Sequence, residues 1–139
     1  MTEQQLEIMD QLIDVGYATR TVGLVNNTIL ATFHTLTAEQ QMLVEAQMKD
    51  VTGTPLHGLH TYSVKLLAQA LTNFTYKGKI TNFTSAEEAE AFIRSKPTSL
   101  VDSLVEEQSK IEKEANELIT GKTTAEDFSK IPPAGSEQK

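Results

Sequence analysis

The sequence predicts a mainly α-helical chain with a small β-hairpin near its start, an α+β class in which helices dominate. Three observations predict it. Residues 17–25 and 28–34 are rich in Val, Thr, Ile, Tyr and Phe, and they flank Asn26-Asn27. Such runs favour pairing, and asparagine tolerates the positive φ of a tight hairpin turn. Apolar residues recur at steps of three and four through most of the remaining chain, as helices require. Thr37-x-x-Gln40 and Ser85-x-x-Glu88 both have the spacing of a capping box.

Residues 2–15 read as a short helix through Leu6, Met9 and Ile13, with Leu12 beside them, and Gly16 is placed to stop it. This segment either packs on the chain's own core or serves as an arm that docks on a neighbour. The hairpin follows, with a two-residue type I′ turn expected at Asn26-Asn27. Leu36-Thr37-Ala38-Glu39-Gln40 then opens a helix. Met42, Leu43 and Ala46 give one apolar side, and Val44, Met48 and Val51 give a second. Two apolar sides predict a sandwiched helix. Gly53 ends it, and Pro55 suits the first turn of the next.

Leu59, Tyr62, Leu66, Leu67, Ala70, Leu71 and Phe74 form the most regular apolar face, which predicts a central core helix over 56–73. A turn at 76–79 and an extended piece at 80–83 lead to the Ser85 helix, expected to bury Ala89, Phe92 and Ile93. Pro97 interrupts the chain, and Thr98 or Ser99 is expected to cap the longest helix, running to about 119. Its stripe is Leu100, Leu104, Gln108, Ile111, Ala115 and Leu118, close to a heptad seam broken by one polar residue. Gly121 stops it, and 122–139, with Pro132-Pro133, reads as a flexible, disordered tail. The expected organisation is an N-terminal arm (1–16), hairpin plus helical core (17–96), long amphipathic helix (97–121) and tail (122–139).

Charge and composition narrow the function. Twelve Lys and Arg against 19 Asp and Glu give a net charge of −7. Phosphate neutralisation needs clustered cations, so neither nucleic acid nor an anionic membrane is the expected partner. There is no cysteine, which removes disulfides, thiolate–zinc sites and thiol chemistry. The start, MTEQQLEIMDQLIDVG, lacks the basic and apolar regions of a signal peptide. A cytoplasmic location is therefore expected.

The search for chemistry finds little. His57 and His60 share a helix face and have metal-ligand spacing, but a site needs a third ligand, and nothing in the sequence ties His34 to them. Glu87, Glu88 and Glu90 suit the first turns of a helix. Glu106, Glu107 and the acidic run from Glu112 to Glu117, interleaved with Lys110 and Lys113, read as a solvated face. No glycine-rich phosphate loop or nucleophile elbow is present. The expectation is no enzyme, no cofactor and no metal: a protein that works by contact.

The order hairpin, then LTAEQQMLVEAQ, then LHTYSVKLLAQALTNF, then an acidic helical C-terminal part resembles the tail assembly chaperones of tailed phages and their relatives that act on the baseplate hub. Leu36, Thr37, Gln40, Leu43, Leu66, Leu67, Ala70 and Leu71 carry the resemblance, which spans residues 17–118 as an order of elements. It implies a non-enzymatic chaperone in the host cytoplasm that holds a tape-measure or hub protein soluble during tail building. The surface expected to bind that partner is the seam, Leu100, Leu104, Ile111, Ala115 and Leu118. The same seam could instead fold back on the core or drive self-association into a homo-oligomer. Two other classes stay open: a structural virion subunit, such as a tail or baseplate ring component whose hairpin pairs edge to edge with a neighbour, and an unrelated small helical adaptor.

Overall fold

A computed structural model describes residues 2–121. Helix α1 (Glu3–Asp10) starts at Thr2, whose hydroxyl accepts from the Gln5 N–H while the Gln5 side chain accepts from the Thr2 N–H. The helix widens into one π-helical turn, Gln11–Val15, closed by Gly16 at φ 100°. Glycine enters that left-handed conformation without a Cβ clash, so the expected stop is where the chain stops.

Strands β1 (Thr19–Leu24) and β2 (Ile29–His34) pair antiparallel, with Thr19 opposite His34 and Leu24 opposite Ile29. Asn26 and Asn27 have φ of 56° and 65°. The Thr28 N–H donates to the Val25 carbonyl at 3.1 Å, closing the I′ turn that the two asparagines predict. Val25 joins them at φ 51°, an uncommon conformation for a β-branched residue.

The capping box at Thr37 and Gln40 forms as expected and starts α2 (Ala38–Gln47). The sandwiched placement does not follow. Val44 is the only buried residue of α2, and Met42 and Leu43 are 67% and 50% exposed. The main helical neighbour of α2 is α3, so one stripe is covered and the other is left in water. A single 3₁₀ turn, Met48–Asp50, follows α2.

Helix α3 (Pro55–Ala70) has proline in its first turn and Thr54 as its cap, the Thr54 hydroxyl accepting from the His57 N–H at 3.1 Å. It ends three residues before the expected boundary. The chain passes straight into strand β3 (Leu71–Tyr76), which pairs with β2. The register explains the misreading. Phe33 faces Leu71 and Ala31 faces Phe74, with a bulge between the two pairs that leaves Thr72 over. In a regular strand, residues three apart point to opposite faces; the bulge returns Leu71 and Phe74 to the same one. Their spacing of three therefore imitates a helix. Strand β4 (Lys79–Asn82) completes an antiparallel sheet in the order β1-β2-β3-β4. The expected N-terminal hairpin is thus half of a four-stranded sheet in a chain that remains mostly helical.

Helix α4 (Ala86–Arg94) is capped by Ser85, whose hydroxyl accepts from the Glu88 N–H. Glu88 accepts in return from the Thr84 N–H, one residue before the position a standard box uses. Helix α5 (Thr98–Thr120) takes Pro97 as its N-cap with no side-chain bond, so the cap expected at Thr98 or Ser99 is not made; both are already helical.

Helices α3, α4 and α5 cover one sheet face. Phe33, Leu67, Leu71, Phe74, Ile93 and Leu104 belong to a single core cluster there. The edge-to-face pairs Phe74–Phe92 and Phe83–Phe92, both with centroids 5.0 Å apart, extend it beyond β4. The register sets Thr21, Thr32, Asn73 and Asn82 side by side on the opposite, polar face, as in antiparallel sheets with one wet side. Ile8 lines a small cavity with Ala18, Ile111 and Ala115, so α1 lies against α5. No described helix is long and apolar enough to cross a membrane. The tail expected over 122–139 lies outside the described residues.

Candidate docking surface

Four of the five seam residues expected to meet a partner, Leu100, Leu104, Ile111 and Ala115, are turned toward the chain's own sheet and helices. Leu104 is fully buried, Ile111 and Ala115 are buried, and Leu100 packs against the core cluster. Leu118 is half-buried one turn further on. The seam is the stripe by which α5 closes the core, so in the folded chain it is not a free docking surface. A sheet with one apolar face needs helices to cover it, and α5 is the longest available.

Gln108, the polar break in that seam, has a purpose in the fold. It is buried and donates from Nε2 to Glu112 Oε2 at 3.0 Å. The same carboxylate oxygen accepts from the Leu36 N–H at 2.6 Å, tying α5 to the turn that leads into α2. Burial raises the Glu112 carboxyl above its ordinary 4.5, opposed by the Leu36 N–H, the Gln108 amide and nearby His34. His34 Nδ1 donates to the Thr35 carbonyl at 2.8 Å, and its ring lies 4.9 Å from that of Tyr17. Below them the Ala18 N–H donates to the Thr35 hydroxyl and the Thr35 N–H to the Ala18 carbonyl. Of the row expected to be solvated, Glu112 is drawn into this junction, and Glu114, still partly exposed, pairs with Arg20 of β1. The four-residue spacing of Gln108 and Glu112 is the one sign of this junction in the sequence.

His57 and His60 line the mouth of a groove between the starts of α3 and α5 and the end of α4. Arg94, Lys96 and Asp102 share its wall, Val64 and Val101 its floor, and its volume is about 280 Å³. A smaller hollow of about 130 Å³ adjoins it, with Leu59 and Val105. His34 lies elsewhere, beside Tyr17. Among the described residues no three His, Cys, Asp or Glu side chains are set to hold a metal ion. The groove brings the start of α3 against the α4–α5 junction, two stretches separated by the β3–β4 hairpin, so no single stretch announces it.

Large apolar side chains remain exposed in several places: on the sheet and its turns (Val25, Leu30, Tyr76, Ile80), at Ile119, and in two groups on the helices. Met42 and Leu43 of α2 are followed by Leu56 and Leu59 at the start of α3, the latter two 64% and 62% exposed. At the N-terminus, Leu6, Ile13 and Val15 are exposed along α1 and its π turn. Scattered single apolar residues are ordinary on a surface, but adjacent Met42 and Leu43 on α2 and Leu56 and Leu59 in the first turns of α3 are a docking candidate. Comparison with family models, curated proteins and solved structures finds no match.

Proposed function

We propose that this protein is a non-enzymatic assembly chaperone of the tailed-phage kind, which binds a tape-measure or baseplate hub protein in the host cytoplasm and keeps it soluble until tail assembly. The observation that carries this reading is the exposed apolar set on α2 and the start of α3: Met42, Leu43, Leu56 and Leu59. A long helical partner with an apolar stripe can lay that stripe on such a surface. The net charge of −7 keeps copies of the chain apart while the apolar set stays open. The reading assigns the protein no reaction and no cofactor.

A second reading, a structural tail or baseplate subunit, is favoured by one feature. Among the described residues, strand β1 is an edge of the sheet with β2 as its only strand neighbour. Its free side could pair with another copy. Two experiments separate the readings. Co-expression with a tape-measure-type protein should raise the soluble fraction of that protein if the chain is a chaperone. Mass spectrometry of purified particles should then find few or no copies; stoichiometric copies would reject the chaperone and support the ring subunit.

A further inference from the structure

The geometry points to the turn end of the sheet as a docking surface for the N-terminal arm of a second copy of this chain. The inference does not rest on the chaperone reading and adds to it a contact between copies. Charge is divided sharply along the sequence. No Asp or Glu lies between Asp14 and Glu39 or between Asp50 and Glu87, and those two stretches contain all four strands. The β1–β2 and β3–β4 turns stand at the same end of the sheet, since Leu24 faces Ile29, Ile29 faces Tyr76 and Tyr76 faces Lys79. That end carries Lys77 and Lys79, both exposed, and among the described residues neither forms an ion pair. The Lys77 ammonium lies 5.4 Å from the centroid of the Tyr76 ring. Around the two lysines Val25, Leu30, Tyr76 and Ile80 are exposed.

The arm has the opposite character. Glu3, Glu7, Asp10 and Asp14 recur at steps of four, three and four, which sets them in one stripe along α1 and its π turn, and no Lys or Arg precedes Arg20. All four are exposed, and among the described residues none is in an ion pair. Like charges four residues apart repel, so the stripe gains from cations that its own chain does not supply. Leu6 and Ile13, both exposed, flank it, while Ile8 faces inward. The arm is fixed at the start of β1, where the Thr19 N–H donates to Gln11 Oε1 and Ile8 meets Ala18. The turns lie at the far end of the same strand. The two surfaces thus stand apart in one chain and can meet between copies. Leu6 and Ile13 then lie against Val25 and Tyr76 while the carboxylates reach Lys77 and Lys79. Residues 3–15 span roughly 20 Å at the helical rise, so the contact is small, below the roughly 1,200 Å² of a stable interface. The net charge of −7 opposes association in other orientations, which leaves a weak, oriented one.

The test uses the full chain in two charge-reversed forms. One reverses the arm, Glu7→Lys with Asp10→Lys; the other reverses the turns, Lys77→Glu with Lys79→Glu. All four positions are exposed, and circular dichroism checks that both forms fold. Sedimentation velocity up to about 1 mM, a range suited to small interfaces, should show the wild type associating. Each form alone should associate about tenfold or more weakly. The arm-reversed form carries less net negative charge, so general repulsion does not explain its loss. An equimolar mixture of the two forms should associate again, because each reversed surface then finds its opposite. A wild type that stays monomeric across the series, either form associating as well as the wild type, or a mixture no stronger than its parts would overturn the inference.

Discussion

At Glu112 a single carboxylate oxygen joins two parts of the fold, accepting from the Leu36 N–H and from Gln108 Nε2. Glu112→Ala leaves both donors without that acceptor, and a partly buried donor left unpaired costs about 1–3 kcal/mol. Urea unfolding should show that loss. Glu112→Gln keeps an acceptor at the same place without the charge, so it should be tolerated. The pH dependence follows from the raised carboxyl. Above 4.5 the folded chain holds this proton more tightly than the unfolded chain does. The stabilisation is complete below that value and is lost as pH rises through the folded value. Across that window Glu112→Gln should gain stability relative to the wild type; parallel urea midpoints would contradict the assignment. Val25 offers a second test. An L-residue in the left-handed region costs roughly 1–2 kcal/mol, and asparagine pays less of it. Val25→Asn should therefore raise the unfolding free energy by up to about 1 kcal/mol.

Among the elements, α5 gives the clearest prediction. Leu104 is fully buried in the cluster that includes Phe33 and Leu67. Leu104→Ala should cost about 2–5 kcal/mol, read by urea denaturation. Leu104→Asp or Ile111→Asp should unfold the chain, because an unpaired buried charge is not sustained. Retention of the full far-UV dichroism in both variants would contradict the packing of α5 on the sheet. Much at this scale was legible in the residues. Thr37 with Gln40, the Asn26-Asn27 turn, Gly16 and Pro55 are local signals with local causes, and each acts where the sequence places it. Leu71 and Phe74 were not legible as strand, since a bulge set by pairing with β2 gives them helical spacing. The exposure of Met42 and Leu43 was hidden for a related reason: an apolar stripe does not say whether anything covers it.

For the whole molecule, the sheet decides which surfaces remain for a partner. Its apolar face takes α3, α4 and α5, which consumes the seam on α5 and turns Leu104, Ile111 and Ala115 inward. Hydrophobic spacing predicted that stripe, but only the fold settles that it is answered from within the chain. Of the apolar residues left exposed, the group on α2 and the start of α3 is the one the proposed function uses. Size-exclusion chromatography with light scattering, on the chain co-expressed with a tape-measure-type protein, tests the use of that set most directly. The wild type should elute as a soluble complex with its partner. The double variant Met42→Glu, Leu43→Glu, folded by circular dichroism, should elute alone and leave the partner insoluble. A variant complex as abundant as the wild-type one, or a wild-type chain that never joins the partner, would contradict the account.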